Sequence, residues 1–193
     1  MTKKKRALNL FGFLSIIGMA LFFSYLLTKY VDQTESAQIL IQEFGPLSIL
    51  IISFISGLNA LLPVPAASFV PIFTTAGIPL PIVIILLISG TLAADLVAFA
   101  VGVYGRKITK THYPEMQKKL VKLYSDKKEW VPFIIFGFTA FIPFPNEVYL
   151  IPLGIIGVKL KQIIIPLLLG TIFYQTFAAY GVYNIFKYLL PHI

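Results

Sequence analysis

Two acids and a few amides stand in stretches otherwise built of Ile, Leu, Val, Phe and Ala. Glu147 follows Pro143-Phe144-Pro145-Asn146, and Asp95 lies near the middle of the apolar run 82–104. A carboxyl at hydrocarbon depth is costly unless it faces protein or water, so both are candidate proton or cation sites. Glu147 is the stronger candidate for a group that loads and unloads a proton, although opening a helix, whose N-terminal end favours an acid, would also account for it. For Asp95, functional coupling stands beside a structural hydrogen bond to Thr171, Gln175 or nearby backbone. Asn59, Asn146 and Gln175 are neutral groups able to line the same cavity or to bond one helix to another. Arg106 ends an apolar run, where it can snorkel to the cytoplasmic surface or meet a lipid phosphate. Enzyme chemistry is not expected: no Ser-His-Asp set, phosphate loop or metal-spaced ligand group is present, and His112 and His192 stand in a polar loop and at the terminus. The chain has no cysteine, which excludes disulfides and thiolate metal sites, and no cofactor is implied.

Holding acids at depth requires elements that belong in lipid. Of the 193 residues 58% are hydrophobic and 12% charged, against about a quarter charged in soluble domains. The run 8–27 is 20 residues long, or ~30 Å as a helix, which matches the hydrocarbon layer. It is too long for a signal peptide and lacks a close cleavage site, so it is expected as an uncleaved anchor. The run 47–62 ends at Pro63-Val64-Pro65, where missing amides interrupt a helix. The following 66–76 is too short to cross, and the two together suggest a hairpin that dips in and returns. The run 82–104 is a second crossing. Residues 106–130 form a cytoplasmic amphipathic segment or a solvated linker helix, with Met116, Leu120, Leu123 and Tyr113 on one stripe. The runs 131–142 and 148–157 flank Pro143 and Pro145 and are both too short to cross, which gives a second hairpin. The run 163–190 is the last crossing. Broken backbone of this kind survives at membrane depth only when buried in protein or lining a wet cavity.

The formal net charge is +8, which on a soluble chain would suggest a phosphate polymer as partner. Its distribution indicates topology instead, and nucleic acid is not an expected partner. Lys3, Lys4, Lys5 and Arg6 precede the first run. Arg106, Lys107, Lys110, Lys118, Lys119, Lys122, Lys127 and Lys128 share the middle loop, and Lys159 and Lys161 precede the last run. Short loops rich in Lys and Arg stay cytoplasmic. The expected N-terminus is therefore cytoplasmic and the C-terminus external, with the first hairpin open to the outside and the second to the cytoplasm.

Shifting the chain by 80 residues places Pro63 on Pro143 and Pro65 on Pro145. At the same offset Gly57 meets Gly137, Gly77 meets Gly157, Leu80 meets Leu160, Gly90-Thr91 meets Gly170-Thr171 and Ala98 meets Ala178. About a quarter of positions 57–107 are identical at this offset, glycines and prolines in register. With the charge map, this predicts an inverted repeat of re-entrant hairpin plus transmembrane helix, the architecture of many secondary transporters. An old duplication kept only for packing is the alternative. The expected fold class is an all-α polytopic membrane protein. Residues 1–38 form the tail, anchor and external linker, and 39–193 the membrane domain, with repeats at about 47–107 and 131–190.

The hairpin with its Pro-x-Pro tip, then Gly90-Thr91-Leu92-Ala93-Ala94-Asp95 with Phe99, Gly102 and Arg106, then Phe141 to Glu147 with Gly154, and finally Gly170 and Tyr180-Gly181, resemble the DedA family in order and spacing. Its shared region is called the VTT or SNARE-associated domain, and the likeness covers about 39–188. The resemblance implies a transporter-like protein of a prokaryotic plasma membrane. Its members are linked to proton-dependent envelope homeostasis, to flipping of undecaprenyl phosphate, or in eukaryotes to phospholipid scrambling. It also implies membrane lipids as partners, anionic or isoprenoid phosphates among them, with a homo-oligomer as one option. This chain departs from the best-studied branch: Asn59, Ala66, Ala67 and Ser68 stand where acids are expected, and Ala140 and Asn146 where arginines are expected. It looks more like divergent members whose second tip reads Pro-x-Pro-Asn-acid, and a phosphate clamp is not implied. The expected function is movement of a small solute or lipid headgroup across the bilayer, with energy-independent scrambling and a non-transporting assembly role as alternatives.

Overall fold

The computed structural model describes residues 3–58, 64–126, 128–142 and 145–189. Among them every regular element is a helix. In chain order these are α1 (Lys3–Asp32), α2 (Glu35–Gly57), a 3-10 turn (Ala66–Phe69) running into α3 (Val70–Thr75), α4 (Leu80–His112), α5 (Pro114–Asp126), α6 (Val131–Phe141), α7 (Glu147–Ile156) and α8 (Leu160–Leu189).

Among the described residues α2, α4 and α8 are long and apolar enough to cross a membrane, at 23, 33 and 30 residues. The helix α1 also has 30 residues, about 45 Å, and contains the run 8–27, whose side chains as far as Leu14 lie outside those described. Large apolar side chains face outward along all the long helices: Phe22 and Phe23, Ile51 and Ile55, Ile85 and Val101, Phe173 and Phe177. A surface so apolar and so extensive is suited to lipid as its solvent.

The element boundaries correct the sequence expectation in the first half. The helix α1 continues past the run 8–27 to Asp32, and α2 starts after only Gln33 and Thr34. The Gln38 side chain turns back to donate to the carbonyls of Val31 and Asp32, closing the end of α1 (3.1 and 3.2 Å). The expected arm 47–62 begins instead at Glu35, an acid in the first turn where the helix end favours it, and it continues through Pro46, which stands on an exposed face. It stops at Gly57, with Leu58 as its cap. The first arm therefore has a crossing helix's length rather than a half-length.

The other short segments follow their expected bounds closely. α6 has 11 residues and α7 has 10, about 15 Å each and far below the bilayer thickness. α4 extends past 104 to His112, so Arg106 and Lys107 are helical, and Tyr113 separates it from α5. On α5 the side chains of Met116, Leu120 and Leu123 lie outside the described ones, while Tyr113 is exposed.

α4 is the shared element. It packs against α2 on one side and α7 on the other, α8 packs against α6, and α1 lies chiefly on α3. One core, with Ile49, Val70, Phe73, Val83 and Leu87, joins α2, α3 and α4 and takes in Ala179 of α8. A second, with Phe99, Ile135, Leu150, Ile163 and Leu167, joins α4, α6, α7 and α8. Lipid tails are as apolar as leucine, so burial alone drives little helix association in a bilayer, and close backbone contact through small residues has to supply more of it. Gly90 faces Ser53 and the Leu50 carbonyl, and Gly57 faces Ala94 and Thr91.

Candidate functional site

Asp95 is 1% exposed, and its partner is neither Thr171 nor Gln175 nor backbone. The Asn146 side-chain amide donates to both of its carboxylate oxygens, at 3.1 Å each. Asn146 is the cap residue of α7, a position where an asparagine side chain ordinarily accepts from the first turn's free N–H groups. Here it makes no such bond. The cap amide has been reassigned to the acid, a local departure from helix chemistry of the kind concentrated at functional positions. Glu147 is half-buried and close enough to act electrostatically on Asp95. Two acids thus converge where the chain breaks between α6 and α7, and among the described residues no basic side chain pairs with Asp95.

One face of α4 holds this arrangement. Asp95, Phe99, Gly102 and Arg106 recur at helical spacing along α7. A Cβ at Gly102 would strike the Ile151 backbone, and one at Gly154 would come within 2.5 Å of the Phe99 carbonyl oxygen and 2.7 Å of the Val103 nitrogen. The two backbones meet there because neither carries a side chain. At the far end Gly157 adopts φ 83°, the left-handed conformation glycine accepts most readily, and the Arg106 guanidinium occupies the space a Cβ would need. Arg106 thus covers the carbonyl end of α7, where a cation is favoured. It is exposed, and it lies at the opposite end of α7 from Asp95.

Gln175 is 3% exposed and donates from Nε2 to Thr91 Oγ1 at 2.8 Å, one helical turn from Asp95 on α4. Among the described residues its Oε1 meets no donor. Thr171 bonds the Leu167 carbonyl within its own helix (2.9 Å). Thr139 on α6 and Tyr149 on α7 share a hydrogen bond of 2.6 Å between their hydroxyls, which ties the two short helices together.

Of the residues singled out by sequence, Asp95, Asn146 and Glu147 come together, Gln175 lies one turn away through Thr91, and Arg106 stands apart. Asn59, Pro63 and Pro143 lie outside the described residues. Pro65 precedes the 3-10 turn, and Pro145 accepts from the Val148 amide at the start of α7. Gly90, Gly154 and Gly170 are all close-packed, Gly170 with 2.6 Å between its would-be Cβ and that of Thr139. Thr91, Thr139 and Tyr149 were missed. A threonine one turn before a mid-helix acid was the available signal for Thr91.

By its elements the chain is an all-helical protein with the long apolar helices of an integral membrane protein. No family model, curated protein or solved structure matches it, so the likeness to the DedA family rests on the motifs alone.

Proposed function

We propose that this protein is a membrane transporter or lipid translocase that moves a small solute or lipid headgroup across the bilayer, with Asp95 and Glu147 carrying the proton or cation that accompanies it. The observation that carries the proposal is the buried Asp95 carboxylate, midway along a crossing-length helix, held by the cap amide of a helix too short to cross. A packing role alone is better served by an apolar residue, since charge at that depth is costly.

We read the architecture as an inverted repeat with two re-entrant hairpins, α2 to α3 and α6 to α7, in a prokaryotic plasma membrane with the N-terminus cytoplasmic. Three correspondences support it. α4 and α8 begin at Leu80 and Leu160, 80 positions apart. The segments before them close identically: Gly77 and Gly157 are both left-handed, with Ile78 donating to Phe73 and Val158 to Leu153. Contacts are also exchanged between halves, α7 lying on α4 while α3 and its 3-10 turn lie on α8. In folds of this kind the substrate site sits where the broken helices meet.

The test is transport in proteoliposomes, comparing labelled isoprenoid phosphate, ordinary phospholipids and small solutes with and without a pH gradient. Asp95→Asn and Glu147→Gln should each lower gradient-driven movement by tenfold or more, the scale expected when a group acting on the transported ion is lost. Lipid movement indifferent to both substitutions and to the gradient would make the protein a scramblase, and no movement at all would leave an assembly role.

A further inference from the structure

Arg106 and Lys107 follow the apolar run 82–104 on α4, with Lys110 one turn further, while Lys159 and Lys161 flank the start of α8. The fold brings these two groups, distant in sequence, to one end of the bundle. α4 and α8 run antiparallel: they meet midway at Thr91 and Gln175, and at this end they meet across α7, where the Arg106 guanidinium lies on Gly157, two residues before Lys159. All five basic side chains are exposed. Among the described residues the salt bridge formed is Lys118 with Glu115 at 3.1 Å, and no carboxylate pairs with any of the five. The opposite end lacks such a cluster. There the 80-residue offset sets Phe186 and Lys187 against Arg106 and Lys107, and Pro79 and Pro81 against Lys159 and Lys161. Helix ends at corresponding positions therefore form without these charges.

We propose that this end of the molecule is a docking surface for the headgroups of anionic phospholipids, whose phosphates are received by Arg106, Lys107, Lys110, Lys159 and Lys161. Charge complementarity calls for an anionic partner, and the neighbours of the five cations make that partner a lipid. Tyr104 and Ile108 stand exposed on either side of Arg106 along α4, and Leu160 and Ile165 stand exposed among and just beyond the lysines of α8. A polyanion in water would leave those apolar side chains wet. The edge of a leaflet satisfies both kinds of group, because acyl chains meet the apolar side chains while the long basic ones snorkel up to the phosphates. Tyr104, 83% exposed, has the amphipathic ring that concentrates at the headgroup level. The planar guanidinium of Arg106 can hold two phosphate oxygens at once, and the lysines act as point charges around it. This surface lies at the opposite end of α7 from Asp95, so the proposal goes beyond the transporter reading and does not depend on it.

The experiment releases the full chain from bilayers of equal phosphatidylglycerol and phosphatidylcholine and counts the retained lipids by native mass spectrometry. Phosphatidylglycerol should outnumber phosphatidylcholine roughly threefold or more, and the excess should shrink as added salt screens the charges. Arg106→Gln with Lys107→Gln, and separately Lys159→Gln with Lys161→Gln, should each at least halve it, whereas Lys187→Gln at the opposite end should leave it unchanged. The single tryptophan supplies the location. α6 runs parallel to α8, with Thr139 at Gly170 and Phe141 at Phe173, so the exposed Trp130 before α6 is level with the start of α8. In a phosphatidylcholine bilayer, chain-brominated phosphatidylglycerol should quench Trp130 more than the same fraction of brominated phosphatidylcholine. Equal retention of the two lipids, equal quenching, or a preference that survives both pairs of substitutions would overturn the proposal. Salt-sensitive binding of soluble polyglutamate without any lipid preference would also overturn it and assign the charges to an acidic protein.

Discussion

Asn146 gives up the ordinary work of a helix cap to hold Asp95, and the stability of that corner should show it. Removing the amide leaves a buried carboxylate without two hydrogen bonds, and bonds to charged groups are worth ~1.5–3 kcal/mol. Asn146→Ala should therefore lower unfolding stability in detergent by about that amount. Asp95→Asn, which keeps a carbonyl acceptor for the amide, should cost less. A double-mutant cycle on the pair should yield a coupling of ~1 kcal/mol or more, and additive effects would mean that the contact carries no energy. Both residues stood out in the sequence as polar groups in apolar runs, but their pairing did not. They are 51 positions apart, and which acid meets which amide depends on how α7 rotates against α4. Thr91 and Gln175 illustrate the same limit: each lies on an apolar helix, and only packing decides that they meet each other rather than Asp95.

At the level of elements, glycine decides how closely helices approach. Gly102→Leu or Gly154→Val would drive a side chain into backbone that cannot yield, so each should cost ~3 kcal/mol or more and separate α7 from α4. Gly105 and Gly137 have open space where a Cβ would be, and alanine there should be neutral or stabilising by up to ~1 kcal/mol through helix propensity. Thermal unfolding of the four variants checks this, and equal penalties at all four would contradict it. Gly57 and Gly137 align at the 80-residue offset, yet a Cβ at Gly57 would strike Ala94 while one at Gly137 would meet nothing within 4 Å. Register in sequence thus identifies related positions without establishing a common contact. The short helices α6 and α7 were legible because prolines, a glycine and apolar length bound them on both sides. The start of α2 was not, because the apolar run begins only at Leu47, whereas the more polar stretch before it, with Pro46 on an exposed face, is already helical from Glu35.

For the molecule as a whole, composition and length were enough to predict helices and lipid, since a chain so apolar has no polar exterior with which to dissolve. The exchange of contacts, α7 on α4 and α3 on α8, was beyond the sequence, because repeat identity says which segments are related and not which half each one joins. That exchange makes the proposed mechanism a property of the entire fold: the acids of α4 and α7 are held together only if the two halves interlock. The chain has no cysteine, so single introduced thiols report topology without background. With Val64→Cys, Pro145→Cys and a control at Glu115→Cys on the side proposed as cytoplasmic, labelling by a membrane-impermeant thiol reagent from each side tests the proposed oppositely inserted hairpins most directly. The account predicts fast labelling of position 115 from the cytoplasm only, with slow labelling of position 64 from the outside and of position 145 from the cytoplasm. Rapid labelling of either tip from the opposite face, at the rate of the control, would mean that its segment crosses the membrane and would contradict the account.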